Sequence, residues 1–374
     1  MSVARLAVAL APDRWLVAAV AILSGLGVLM VRAITAHEVP GGWSPDAIRQ
    51  VVFIAAGAAA MVVLARMDYR LLSRLAIPAY AGSLALLVIV LMMGADQFGA
   101  RRWIDVGVTT IQPSEFAKAG VILALAAFAA RQEPGVRSLL GTLLIVAPPM
   151  ALIVVEPDLG TTIVLGIAWV TVVVVWGLSW RILAGLAILA VSLLPIAFAV
   201  AVPDYQRERL AVFFDPQRDP LGSGYQLRQV EIALGAGGII GRGFGGSPSP
   251  LDGLATRASD FSFAQLGEQT GFAGSLLVLG LYLVIAWRGF QAASRAPDRF
   301  GALLAVGLTS VIVVQAGLHI AVNLRFFPAT GIPLPFVSQG GSALFVMFAI
   351  AGILQSIAAH RAPTVSHRWS ALRF

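Results

Sequence analysis

The one lysine of this 374-residue chain, Lys118, lies inside an apolar segment, three residues after the carboxylate of Glu115. Pro113 and Ser114 precede the pair and are typical of a helix start, where the first amide groups have no partner within the helix. On that helix Glu115 and Lys118 share one face. Ionisable groups in an apolar helix are functional candidates by default. The structural alternative is an ion pair that only seats the helix end.

Asp260 is the candidate for proton chemistry, because it lies where a long polar segment meets an apolar run that begins at Phe261. Partial burial at a membrane surface raises the pKa of a carboxylate toward neutrality, which suits a general base. The structural alternative is the N-cap of the following helix. The neighbouring cation of Arg257 is expected to lower the pKa of Asp260.

Two arginine clusters are candidates for phosphate binding. Arg102 stands beside Trp103, and an arginine next to an indole at a membrane surface suits a phosphate group. Both residue types also serve as interfacial anchors. Arg207 and Arg209 lie among acidic and aromatic residues, in a segment that could be an amphipathic helix on the outer leaflet. The same segment could position a lipid pyrophosphate.

Glu156 and Asp158 stand between two long apolar runs. Asp158 precedes Gly-Thr-Thr, which is typical of a helix N-cap. Glu156 could pair with Lys118 or bind a metal ion, so Glu115 and Glu156 are candidate ligands for a divalent cation, Mg²⁺ or Mn²⁺. No organic cofactor is expected, because the glycine-rich stretch 222–246 has neither the lysine of a phosphate-binding loop nor the strand of a dinucleotide site.

The composition indicates an all-α polytopic integral membrane protein. The chain is 58% hydrophobic and 12% charged, with a mean hydropathy of +0.86, which no single soluble core could bury. It has no cysteine, and its four histidines are scattered, so neither disulfides nor a histidine metal cluster are expected. The net charge of +7 is interpreted as a marker of membrane topology and not as nucleic-acid binding.

About ten apolar runs have the length that a bilayer demands, roughly 17–25 residues. They cover about 15–36, 48–65, 71–94, 114–130, 138–155, 160–178, 181–202, 261–287, 301–322 and 341–359. With both termini inside the cell, the inner side holds 14 arginines and 4 acidic residues, whereas the rest holds 12 basic and 15 acidic residues. This asymmetry predicts an N-in, C-in topology.

The outward connections are unequal in length. The longest, residues 203–260, joins the seventh and eighth spans, and loops of that length are usually functional. The last, from Asn323 to Gly340, is rich in proline and glycine and includes Ser338. Such a stretch at membrane depth is tolerated where it is buried in protein or lines a cavity. A rigid connector is the alternative.

In this order the motifs resemble the SEDS family, the RodA and FtsW type proteins of bacterial cell-wall synthesis. The resemblance covers nearly the whole chain, as one transmembrane domain over residues 1–374. The motifs that carry it are Arg102-Trp103-Ile104, Gln112-Pro113-Ser114-Glu115 with Lys118, Glu156-Pro157-Asp158-Leu159-Gly160-Thr161, Asp215-Pro216, Gly224-Tyr225-Gln226, Asp260-Phe261 with Phe263-Ala264, and Gly331 to Ser338 with Gly340-Gly341-Ser342.

The resemblance implies a peptidoglycan glycosyltransferase of the bacterial cytoplasmic membrane. Such a protein polymerises lipid II for elongation or division and works with a class B penicillin-binding protein. Asp260 would be its essential carboxylate. The expected substrate-binding residues are Glu115, Lys118, Arg102, Trp103, Glu156, Asp158, Arg207, Arg209, Gln226 and Ser338. Family members usually have a glutamate and a histidine shortly before the aspartate, whereas this chain has Ala255-Thr256-Arg257-Ala258-Ser259 there.

Two other functions fit parts of the pattern. A flippase for lipid-linked precursors would also use an intramembrane Glu–Lys pair and broken helices. The polar groups nevertheless gather on the outer side, whereas alternating access needs a cavity that is reachable from both sides. A non-catalytic scaffold of the cell-wall synthesis complex would explain the missing glutamate and histidine.

Overall fold

The computed structural model describes residues 13–36, 42–97, 100–107, 110–201, 204–245, 248–254 and 256–360. These segments form twelve α-helices: α1 (Arg14–Ile34), α2 (Pro45–Arg66), α3 (Leu72–Met93), α4 (Pro113–Ala129), α5 (Val136–Val155), α6 (Leu159–Trp176), α7 (Trp180–Ala201), α8 (Asp204–Phe214), α9 (Ser223–Ala236), α10 (Ser262–Ser294), α11 (Arg299–Asn323) and α12 (Gly341–Ala359). Each of the ten predicted spans coincides with one helix, and α8 and α9 are additional.

Eight of the helices are long and apolar enough to cross a membrane, so the chain is a multi-pass membrane protein. Two further helices coincide with predicted spans but are shorter. The helix α4 has 17 residues, and the apolar part of α7 that the structure describes is Trp180–Leu189. The count of ten crossings and their orientation stay predictions. Four of the arginines used for that orientation, Arg5, Arg361, Arg368 and Arg373, lie outside the described residues.

Local signals in the sequence fix where several helices begin and where one of them ends. The side chain of Asp13 accepts hydrogen bonds from the backbone at the start of α1, and Asp298 does the same for α11. Ser44 caps α2, and Pro113 occupies the first turn of α4, as predicted. Gly177 adopts a left-handed conformation (φ 99°) at the end of α6, which few residues other than glycine tolerate.

A small antiparallel sheet covers one end of the bundle, where the sequence predicted only a loop. Its strands are β1 (Ala95–Gln97), β2 (Ala100–Asp105) and β3 (Thr110–Ile111), in the order β1-β2-β3. β2 is central, with Trp103 opposite Ala95 and Ile104 opposite Ile111. The sheet therefore holds Arg102 and Trp103 on a fixed backbone just before α4.

The centre of the bundle consists of α11 and α12, the most buried of the eight spans. One large cluster of buried apolar side chains joins them to α1, α4, α6 and α10. The helix α10 is broken at Gly271, which has φ 68° and ψ −165°. Backbone hydrogen bonds join the segment 237–243 to both sides of this break: Arg242 N donates to Glu268 O at 2.9 Å, and Phe272 N donates to Gly238 O at 2.9 Å.

Candidate functional site

A cavity lined by Asp260, named the main cavity for that reason, has a volume of about 300 Å³ and lies beside the start of α10. It is bounded by β2, α8, α9, the turn before α10 and the segment 331–343. Five of the eleven predicted site residues line it: Asp260, Arg102, Trp103, Arg209 and Gln226. Segments that are far apart in the sequence therefore bring one carboxylate, two arginines, an indole and an amide to the same space.

Asp260 ends a tight turn and does not cap α10. Its backbone N–H donates to Thr256 O at 2.8 Å, and its carbonyl accepts from Asn323 Nδ2 at 3.0 Å. The cap position of α10 is Phe261, and no side chain of the described chain caps it. The capping alternative for Asp260 is therefore wrong, and its carboxylate is available to the cavity.

Burial raises the pKa of the Asp260 carboxyl above its ordinary value. A hydrogen bond involving Ser259 and the positive charges of Arg209 and Arg102 act in the opposite direction and are outweighed. Arg257 was expected to lower this pKa, but it forms an ion pair with Asp252 and donates to Ile34 O at 3.0 Å. That expectation is wrong, because the guanidinium is engaged elsewhere and the net shift is upward.

Arg102 is held by the backbone at the end of α5. Its Nε donates to Glu156 O at 3.0 Å, and its Nη2 donates to Pro157 O. A guanidinium fixed in this way presents its charge to the main cavity with little loss of side-chain entropy on binding an anion. Pro157 itself has the unusual φ of 28°, at the tight turn between α5 and α6.

The segment 204–236 supplies the opposite wall of the cavity. Arg209 on α8 is exposed, and Gln226 on α9 is half-buried. The carboxylate of Asp219 accepts from Gly222 N at 2.9 Å and Ser223 N at 2.6 Å, which fixes the start of α9. Gly224 packs so closely on the carbonyl of Pro216 that no side chain fits there.

Glu115 and Lys118 form the predicted ion pair, with Nζ 2.9 Å from Oε1 and both side chains fully buried. Nζ also donates to Gln315 Oε1, and Gln315 Nε2 donates to Pro333 O at 2.9 Å. Since Pro333 lines the main cavity, the pair lies one layer beneath its wall. The second carboxylate oxygen of Glu115 accepts no hydrogen bond within the described chain.

Glu156 and Asp158 differ in their surroundings. Asp158 caps α6 through Thr161 N at 3.0 Å, as predicted, and also accepts from Gln112 Nε2 and Ser114 Oγ, each at 3.2 Å. Both carboxylate oxygens of Glu156 are buried and accept no hydrogen bond from the part of the chain that the structure describes. Burial first, and then the charge of Asp158, raise the pKa of Glu156 to about 8.

Ser338 is a buried structural residue. Its Oγ lies 2.5 Å from Ser262 Oγ, donates to Ser259 O at 2.9 Å, and accepts from Leu334 N at 2.7 Å. It ties the segment 331–340 to the start of α10. Ser338, Arg207, Glu115, Lys118, Glu156 and Asp158 do not line the main cavity.

A row of polar residues on α11 was missed in the sequence. Gln315, His319 and Asn323 are spaced by four residues and almost fully buried. His319 Nδ1 lies 2.8 Å from Ile332 O, and its Nε2 lies 3.4 Å from the N–H of Phe263. Nε2 therefore accepts and Nδ1 carries the proton. This i, i+4, i+8 spacing in an apolar helix is a signal that sequence reasoning can use.

The described residues contain no group of three or more acidic or histidine side chains that could hold a metal ion. Glu115 Oε1 is already paired with Lys118, and no described contact joins Glu115 to Glu156. The residues present therefore do not form a preorganised cation site. The predicted Mg²⁺ or Mn²⁺ stays a prediction, and no chemical step depends on it.

Comparisons with known proteins place these features in a wider group. The family model for FtsW, RodA and SpoVE proteins, described as cell cycle proteins, matches residues 14–362. The chain is 39% identical over 316 residues to the peptidoglycan glycosyltransferase MrdB of Escherichia coli strain K12, covering 84% of this chain and 85% of that protein. It is 34% identical over 356 residues to stage V sporulation protein E of Bacillus subtilis strain 168, covering 92% and 96%.

Two solved structures have a similar fold. A chain from a peptidoglycan synthase complex, solved to show how polymerization and crosslinking are coordinated, gives a TM-score of 0.80 at 32% identity, with 93% of this chain and 98% of that chain covered. The rod shape determining protein RodA of Thermus thermophilus gives a TM-score of 0.70 at 30% identity, with 94% and 98% covered.

Proposed function

We propose a function from the premise that this chain belongs to the SEDS family, the family of FtsW, RodA and SpoVE proteins. The proposed function of the chain is that of a peptidoglycan glycosyltransferase, which polymerises lipid II on the outer face of the bacterial cytoplasmic membrane for cell elongation or division. The glycosyltransferase name of the relative that is 39% identical supports this reaction class. A bundle of apolar helices with a polar cavity supports a lipid-linked substrate.

The observation that carries the proposal is the position of Asp260. Its carboxylate lines the main cavity together with Arg102 and Arg209, and burial raises its pKa. A base that must take a proton from a hydroxyl works best with a pKa raised toward the working pH. The two arginines supply positive charge where a pyrophosphate would leave.

The chemical step follows from this arrangement. The 4-hydroxyl oxygen of one lipid-linked disaccharide, the acceptor, attacks the anomeric carbon of the other chain, the donor. A new glycosidic bond forms, the hydroxyl proton passes to Asp260, and the bond between the anomeric carbon and the pyrophosphate breaks with its electron pair on the leaving group. Arg102 and Arg209 stabilise the charge that develops on that pyrophosphate. Trp103 and Gln226 position the sugars.

Lys118 and Glu115 support the wall of the main cavity and do not line it. The chain from Lys118 through Gln315 to the carbonyl of Pro333 holds the segment 331–335 against α11. This role is positioning, because the ammonium is fully buried. The backbone carbonyl of Glu156 anchors Arg102, and the carboxylate of Asp158 ties the start of α6 to Gln112 and Ser114, so these residues also act by positioning.

The partner follows from the chemistry of the product. Glycan strands become a wall only when their peptides are crosslinked, and the related chain in the peptidoglycan synthase complex belongs to an assembly that couples polymerization to crosslinking. A class B penicillin-binding protein, which supplies the transpeptidase, is therefore the proposed partner of this chain.

The deciding experiment is a polymerisation assay with purified lipid II, run with and without the cognate penicillin-binding protein. Asp260→Asn should lower the rate at least about a hundredfold, the typical contribution of a general base. Asp252→Asn is the matched control, because it removes the same charge from an exposed position of the same segment. It should stay within about twofold of wild type.

The pH profile gives a second readout in the same assay. Because Asp260 acts when deprotonated, the wild-type rate should fall as the pH drops through a pKa above that of an ordinary carboxylate. The residual rate of Asp260→Asn should not fall over this pH range. Full polymerisation by Asp260→Asn would overturn the assignment of the base.

A further inference from the structure

A second cavity of about 360 Å³ adjoins the main cavity. Its own lining includes Arg49 and Gln50, near the start of α2, and Asp105, at the end of β2. Thr110 and the segment 339–341 line both cavities, so these residues form a shared wall. The start of α12, at Gly341, borders both spaces.

Three groups in the second cavity point to a polar ligand. Gln50 is 1% exposed, and its Nε2 donates to the carbonyls of Val337 and Ser338 at 3.3 and 3.4 Å. Its Oε1 is buried and accepts no hydrogen bond from any described residue. A buried acceptor of this kind calls for a donor, such as a hydroxyl or amide N–H of a bound molecule.

The other two groups favour an anion. The helix α12 begins at Gly341, and no side chain among the described residues caps its first amide groups. The N-terminus of a 19-residue helix attracts negative charge. Arg49 lies on the same cavity with a half-exposed side chain, 3.5 Å from the carboxylate of Asp46, which leaves its charge weakly compensated at a water-facing site.

We propose that the second cavity binds the pyrophosphate of the acceptor lipid together with the sugar attached to it, while the main cavity holds the reacting groups. This inference rests on the proposed function, because a polymerase must hold two lipid-linked substrates at once. In the proposed mechanism the base and the two arginines of the main cavity surround the bond that breaks. The non-reacting pyrophosphate of the acceptor needs a separate binding site. The second cavity can supply it, because it shares a wall with the main cavity.

The charge balance of the second cavity fits a sugar phosphate better than a free anion. Asp105 lines it and accepts from Gly107 N at 2.8 Å, so the cavity lining contains one carboxylate as well as Arg49. A carboxylate repels phosphate but accepts hydrogen bonds from sugar hydroxyls. We therefore place the phosphate toward Arg49 and the start of α12, and the sugar toward Asp105 and the amide oxygen of Gln50.

The test compares Arg49→Gln with Arg218→Gln. Arg218 is also exposed on the outer segment, and it also pairs with an aspartate three residues earlier at 3.5 Å, so it matches Arg49 in charge and setting. Loss of one charge-assisted hydrogen bond should raise KM for lipid II about tenfold in Arg49→Gln, with kcat changed less than about twofold. Arg218→Gln should keep the wild-type KM, and Arg49→Lys should recover most of the affinity.

A binding measurement gives an independent readout. Native mass spectrometry of Asp260→Asn with a short-chain lipid II should show two bound molecules, and the added Arg49→Gln change should leave one at the same concentration. An unchanged KM and two bound molecules in Arg49→Gln would overturn the second site, while wild-type polymerisation would still uphold the proposed function. If the wild-type protein polymerised nothing, both would fail. A tenfold KM effect shared by Arg218→Gln would also overturn the site, since it would show a general effect of surface charge.

Discussion

At the scale of single residues, the buried pair of Glu115 and Lys118 makes the fold sensitive to the loss of either charge alone. Both side chains are fully buried, and Lys118 also donates to Gln315. Removing one member of such a pair leaves an uncompensated charge inside the protein, which costs about 3–5 kcal/mol. Removing both charges avoids that penalty, so the pair is expected to behave as a unit.

Lys118→Met should therefore lower the apparent melting temperature of the detergent-solubilised protein strongly. Glu115→Gln combined with Lys118→Met should recover at least half of the loss, because no buried charge remains. Thermal unfolding monitored by intrinsic fluorescence measures both changes in a double-mutant cycle. Strictly additive losses would show that the two charges do not depend on each other.

The sequence predicts such pairings but does not show how deeply the side chains are buried or whether they line a cavity. The three-residue spacing of Glu115 and Lys118 predicted a shared helix face, and Gly-Thr-Thr after Asp158 predicted its cap; both predictions are confirmed. Whether a side chain lines a cavity depends on segments far away in the chain. Ser338 turned out to be buried against Ser262, a contact 76 residues distant that no local pattern encodes.

At the scale of elements, the long spans were predictable and the short ones were not. An apolar run with a cap signal at its start determines a membrane helix within a few residues. The strands β1 and β3 have three and two residues, too few for an alternating pattern, and the six residues of β2, Ala-Arg-Arg-Trp-Ile-Asp, do not alternate between apolar and polar side chains. The break in α10 was missed for a similar reason, since Gly271 is one of several glycines in an apolar run.

Gly271 should tolerate no side chain. Its φ of 68° with ψ of −165° is essentially restricted to glycine, and an added Cβ would collide with the backbone of Ile239 and Gly241. Gly271→Ala should therefore destabilise the protein by about 1–3 kcal/mol or more. Gly280→Ala is the matched control on the same helix, because nothing lies within 4 Å of its added Cβ.

The same thermal unfolding measurement separates the two variants. Gly280→Ala should be neutral or stabilising by up to about 1 kcal/mol, since alanine is the better helix former. Because α10 begins two residues after Asp260, Gly271→Ala should also reduce polymerisation, whereas Gly280→Ala should not. Equal melting temperatures for the two variants would show that the break in α10 is not required by the fold.

At the scale of the whole molecule, the function requires the main cavity to face outward. The distribution of arginine predicts this orientation, with 14 arginines and 4 acidic residues on the inner side. Asp260, Arg209 and Gln226 belong to the segment between the seventh and eighth predicted spans, so they lie outside only if both termini lie inside. The orientation is therefore a condition for the proposed chemistry.

The absence of cysteine from the chain makes this orientation directly measurable. Leu221→Cys places a single thiol on the outer segment, where Leu221 is 91% exposed, and Ser294→Cys places one at the exposed end of α10. A membrane-impermeant maleimide should label Leu221→Cys in intact spheroplasts and Ser294→Cys only after permeabilisation. Labelling of both thiols from the same side would contradict the crossing of α10. The reverse pattern would place Asp260 on the inner side of the membrane and contradict polymerisation on the outer face.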